Sequence, residues 1–139
     1  MKPFALLAVV VALFSSQLAL AGTSKHWLGN QRAVVLLVEW KDKAARKSPQ
    51  EMTETFFGKG NKSLREFFAE NAQGAFDLTG DVREWRRSDR NWQVGSTCSL
   101  DPIVREAWKL HGRGINVADY DADGTGKIDN LFVVHSGRI

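Results

Sequence analysis

The run AVVLLVEW, residues Ala33 to Trp40, decides the fold. It is apolar at every position but Glu39 and does not alternate, which is the pattern of a strand covered on both faces. A central strand is therefore expected here. On its C-terminal side, Lys41 to Gln50 is rich in Lys and Arg and carries Pro49, so it reads as an exposed loop before a short helix around Glu51 to Phe57. Gly58 and Gly60 end that helix. Ser63 and Glu66 then have capping-box spacing, Leu64, Phe67 and Phe68 recur at helical intervals, and Gly74 stands where a left-handed C-terminal residue is needed. Both phenylalanines are expected in the core.

Phe76 to Trp85 (FDLTGDVREW) alternates Phe76, Leu78 and, after a break at Gly80, Val82, which predicts two short strands or one bulged strand. Asp101 before Pro102 reads as an N-cap with proline at the first helical position. Ile103, Val104, Ala107, Trp108 and Leu110 would be the buried stripe of that helix, up to Gly112. An acidic loop follows, and Leu131 to Val134 reads as a buried strand. This order of elements predicts an α/β (α+β) fold with helices packed on a mixed sheet.

The N-terminus has a different character. Lys2, the apolar run Phe4 to Phe14, the polar break Ser15 to Gln17 and the small residues Ala19 and Ala21 make a secretory signal peptide over residues 1–21. The apolar run of 11 residues is short for a membrane-spanning helix, which needs roughly 18 to 20. The mature chain, residues 22–139, is then one domain, exported to the periplasm or the medium and free of the membrane after cleavage. Formal charge is +3, and about +2 once Lys2 is removed, so a polyanionic partner is not indicated. Arg83, Arg86, Arg87 and Arg90, interleaved with Trp85 and Trp92, read as a solvated loop with half-buried tryptophans rather than a nucleic-acid surface. The single Cys98 excludes an internal disulfide.

The chemistry concentrates in DADGTGKIDN, residues 121 to 130. Asp121, Asp123, Thr125, Gly126 and Asp129 take positions one, three, five, six and nine of an EF-hand-type calcium loop, in which oxygen ligands alternate and Gly permits the turn. Position twelve is Phe132, so the usual bidentate Glu is missing and a strand follows in place of the exit helix. The expected calcium ligands are the side chains of Asp121, Asp123, Thr125 and Asp129 with the Lys127 carbonyl, and Asp119 or water replaces the glutamate. Four carboxylates within eleven residues repel one another unless a cation lies between them. His26, His111 and His135 have no zinc-ligand spacing, and neither H-E-x-x-H, a nucleophile elbow nor a phosphate loop occurs. No catalytic residue and no zinc ligand is assigned in this chain. His111 reads as a cation at a helix C-terminus, and His135 as a structural residue at the end of the last strand.

Taken in order, VVLLVEWKDK, FFG with SLREFFAENAQGAFDLTGDVREW, DPIVREAWKL and YDADGTGKIDNLFVVHSG resemble the immune inhibitor A family of secreted zinc metallopeptidases, peptidase family M-six. The resemblance spans Ala33 to Gly137. It implies the N-terminal half of a metzincin-like catalytic domain, in a family whose zinc-binding H-E-x-x-H helix follows shortly after the V-V-H-x-G strand. Ser136 stands where the family usually has Ala, and Thr125 where it usually has Asp. The expectation is a secreted metallopeptidase-like chain truncated before the zinc helix, with protein substrates and zinc belonging to a full-length relative. The alternative is a non-catalytic secreted calcium-binding module.

Overall fold

A computed structural model describes residues 28–60, 62–92 and 100–137 of the chain. The expected signal peptide, His26 and Cys98 lie outside the described residues. The elements in chain order are β1 (Gly29–Glu39), α1 (Pro49–Phe57), α2 (Leu64–Asn71), β2 (Phe76–Val82), β3 (Arg86–Arg87), α3 (Asp101–His111) and β4 (Asn130–His135). Short 3₁₀ turns at Gly112–Gly114 and Val117–Tyr120 follow α3. The class is α/β, as the element order predicts.

β1 is the centre of the sheet. It pairs in parallel with β2 over 29–35, with β3 over 38–39 and with β4 over 33–38. Ala33 to Val35 are shared by β2 and β4, so those two strands lie on opposite edges of β1, and β3 continues the β2 edge. Val35 pairs with Val82 but Val38 with Arg86, so two residues of β1 face three of the other strand. The segment Phe76 to Arg87 is thus one strand broken by a bulge at 83–85, one of the two forms the sequence allows. The sequence leads to expect a mixed sheet, yet all three ladders among the described residues are parallel, with an isolated antiparallel bridge between Trp40 and Lys43. Each parallel return needs a helical crossover, which α1–α2 and α3 supply.

The two crossovers cover opposite faces. Ala33, Val35 and Leu37 pack with Met52 and Phe57 of α1 and with Leu64 and Phe68 of α2. Val34, Leu36 and Val38 pack with Ala107, Ile103 and Leu110 of α3 and with Tyr120. The unbroken apolar run is explained: each face of β1 meets a helix layer, and Ala33 through Val38 are all 0% exposed.

Helix starts differ in detail from expectation. Pro49 lies inside α1, whose capping box is Ser48 with Glu51. At α2, Ser63 caps the Glu66 amide, but the Glu66 carboxylate reaches past Ser63 to the amides of Gly60 and Lys62. Gly74 has φ of 80°, as its place after α2 requires. α3 begins one residue early, with Leu100 as N-cap, and Asp101 pairs with Arg105 instead of capping.

Three assignments of buried residues need correction. Phe67 is 58% exposed, and Phe68 alone of the pair turns to the core. On α3, Val104 and Trp108 are exposed while Ala107, Glu106 and His111 are buried, because the sheet-facing line runs through 103, 107, 110 and 111. β4 is half-buried rather than buried, since it has β1 on one side only among the described residues.

Candidate metal centre

The acidic loop hangs between Tyr120 and the start of β4. Tyr120 is buried, and its hydroxyl donates to Asp81 Oδ2 at 2.7 Å, an oxygen that also accepts from Arg32 Nη2 at 2.8 Å. The Arg32 guanidinium lies 5.3 Å from the centre of the Tyr120 ring. One end of the loop is therefore pinned to β1 and β2. The Asp129 amide donates to the Tyr120 carbonyl at 3.0 Å, which closes the loop at the point where β4 begins.

Within the loop the chain turns its own amides toward the carboxylates. Thr125 N donates to both Asp121 Oδ1 and Asp123 Oδ1 at 3.0 Å, Gly126 N to Asp121 Oδ2 at 2.7 Å, and Ala122 N to Asp129 Oδ2 at 2.7 Å. Gly124 and Gly126 make this possible with φ of 73° and 79°, a region costly for residues with a Cβ. Carboxylate oxygens of Asp121, Asp123 and Asp129 lie within 4.8 Å of one another. An ionised carboxylate has about four acceptor positions, so these amide bonds orient the groups without using up their capacity to bind a cation.

The structure thus gathers three of the four expected aspartates. Asp119 sits in the Val117–Tyr120 turn, accepts from Asn116 Nδ2 at 3.2 Å and is not among the clustered carboxylates. Thr125 and Lys127 occupy the same exposed turn. Three carboxylates so placed could share one hard divalent cation, the class of ion that takes oxygen ligands. Among the described residues this is the one group of His, Cys, Asp or Glu side chains placed to share a metal.

The histidines have other work. His111, expected as a helix-terminal cation, is buried, and Nε2 donates to the Leu37 carbonyl at 3.0 Å; a carbonyl can only accept, so Nε2 carries the proton. Burial pushes its pKa down, outweighing that hydrogen bond, and Arg86 and Arg83 push the same way. It is a neutral strut between α3 and β1. His135 lies against the rings of Trp92 and Trp40, at centroid distances of 4.5 and 6.2 Å. Its Nδ1 accepts from Gly137 N at 3.1 Å and from Trp40 Nε1 at 3.4 Å, and burial lowers its pKa as well.

Local spacing carries no signal of the Tyr120–Asp81–Arg32 anchor, whose members are separated by up to 88 positions. Nor does it signal Ser88 and Glu106, both buried and joined by a 2.7 Å hydrogen bond that ties α3 to the end of β3. No helix among the described residues is long and apolar enough to cross a membrane. No protein-family model matches the chain, and no curated protein matches it.

Proposed function

We propose that this chain is an exported, metallopeptidase-like protein corresponding to the N-terminal half of an immune inhibitor A-like zinc peptidase domain, and that its own metal is calcium, bound at Asp121, Asp123 and Asp129. The observation that carries the calcium reading is the convergence of these carboxylates on a loop whose amides already orient them. Thr125 and the Lys127 carbonyl complete the ligand set, with water in place of the missing glutamate. The peptidase reading rests on the motif order from VVLLVEW to VVHSG.

Hydrolysis by a zinc peptidase requires zinc to acidify a bound water and a base to take its proton. His111 and His135 are engaged with Leu37, Trp40 and Gly137 and belong to no group of three or more His, Cys, Asp or Glu side chains placed to hold a metal among the described residues. Within these 139 residues the metal chemistry we propose is calcium binding by the aspartate loop, and the zinc chemistry of the family that the chain resembles needs an H-E-x-x-H helix, a motif these residues do not contain. The test is casein hydrolysis with added zinc and calcium. No cleavage is expected from the purified chain, and zinc-dependent cleavage abolished by a chelator refutes the assignment.

A further inference from the structure

A cavity of about 460 Å³ opens at the carboxyl end of β1 and β4, between the 42–46 loop on one side and Trp92 and Ser136 on the other. In open parallel sheets this is the end where ligands bind, and the volume lies within the range of small-molecule sites. Its framework is fixed from behind. Ser136 Oγ accepts from Trp40 N at 3.0 Å and donates to the Lys43 carbonyl at 2.5 Å, so β4 holds the loop after β1 in place. Trp92 stacks on His135, and a Cβ on Gly137 would come within 2.5 Å of the Trp92 ring, so the indole is seated directly on the strand end.

The lining has a definite charge. Lys43 and Arg46 are among its lining residues and have no carboxylate within ion-pair distance among the described residues. The one acid in the lining, Asp42, accepts the Trp92 amide at 2.7 Å. Ala44, Ala45 and Trp92 are the apolar residues of the same lining. An anionic head and an apolar body are thus both provided for.

We infer that this cavity binds a small organic carboxylate. The carboxylate lies between Lys43 and Arg46, whose planar guanidinium can take both oxygens, and its hydrocarbon part lies on Ala44, Ala45 and Trp92. Inorganic phosphate satisfies the cations but leaves the apolar wall uncovered. The site is separate from the aspartate loop and does not depend on calcium binding there.

The test is an NMR titration of the full chain as exported, with backbone amides of Ala44 and Ala45 and the Trp92 indole as reporters. The probes are benzoate, N-acetyl-glycyl-phenylalanine, the amide of that dipeptide, and inorganic phosphate. Saturable shifts at these reporters are expected with at least one of the two acids, and weaker binding of the amide and of phosphate. Tighter binding of benzoate identifies free organic acids as the ligand class, and tighter binding of the dipeptide acid identifies peptide C-termini. Lys43→Gln with Arg46→Gln should weaken binding at least about tenfold, since charge-assisted contacts are lost. Arg46→Lys keeps the charge without the fork and should fall between. The inference is overturned by absence of saturable shifts with both acids, by equal binding of amide or phosphate, or by unchanged affinity in Arg46→Lys and the double variant alike.

Discussion

Gly80→Ala is the substitution that probes the sheet most sharply. Gly80 pairs with Ala33 in the β2–β1 ladder, and a Cβ there would lie 2.1 Å from the Ala33 carbonyl oxygen and 2.8 Å from Phe57 Cζ. The phenyl ring can swing aside. The carbonyl cannot, because Ala33 is fully buried and is paired on its other edge with Asn130 of β4. Overpacking a core costs about 1–3 kcal/mol, and a collision with central-strand backbone belongs at the upper end. For a domain of roughly 110 residues, about 3 kcal/mol lowers the melting temperature by about 12 °C or more. Gly114→Ala is the matched control, since no atom lies within 4 Å of its Cβ position and its φ is not positive. Thermal unfolding followed by circular dichroism should show a large drop for Gly80→Ala and a change within about 0.5 kcal/mol for Gly114→Ala. A Gly80→Ala protein that melts within about 2 °C of the parent refutes the close approach of β2 to β1 on which the register rests.

Acid should weaken the fold through its histidines. The folded-state pKa values of His111 and His135 are lowered by burial, so the unfolded chain takes up protons first as pH falls. Their contribution to stability is complete above the ordinary histidine pKa of about 6.5 and declines below it until the folded-state values are reached, by at most about 1.4 kcal/mol per pH unit for each. Urea unfolding at pH 7.5 and 5.5 checks the sign, and greater stability at the lower pH contradicts it. Export predicts cleavage after Ala21, and the intact mass of the exported protein tests this: retention of Met1 rules it out. Tyr120→Phe removes the donor to Asp81 and leaves a carboxylate with Arg32 alone, which should cost about 1.5–3 kcal/mol in chemical unfolding. No loss would mean that the loop is not anchored there.

How much was legible in the sequence follows from the range of the interactions involved. AVVLLVEW identifies itself as the central strand because a strand buried on both faces has no polar side, and Gly74 marks the end of α2 because a positive φ has a local chemical signature. The clustering of Asp121, Asp123 and Asp129 is legible for the same reason: their mutual placement is set by spacing within one loop. Which of Phe67 and Phe68 is buried depends on the rotation of α2 against β2, in which Leu64 and Phe68 pack on the core and Arg65 pairs with Asp77 across twelve positions. His111 has the sequence position of a helix-terminal cation, and only the sheet beneath it turns the residue into a neutral hydrogen-bond donor. Parallel strand direction likewise depends on helices crossing opposite faces. Periodicity alone does not carry that information.

The measurement that bears most directly on the calcium assignment is the melting temperature in millimolar calcium and in EDTA, for the parent chain and for Asp123→Asn. Asp123 is the suitable position because an asparagine oxygen can still accept the Thr125 amide, whereas at Asp121 the two carboxylate oxygens serve two different amides and an amide nitrogen cannot replace one of them. At free calcium about tenfold above the dissociation constant, binding to the folded state alone adds about 1.4 kcal/mol, or several degrees. The parent should show that rise with calcium and much less with magnesium, and Asp123→Asn should lose most of it while melting like the parent in EDTA. Identical melting of the parent in calcium and in EDTA contradicts the assignment and leaves Asp121, Asp123 and Asp129 as a turn satisfied by its own amides.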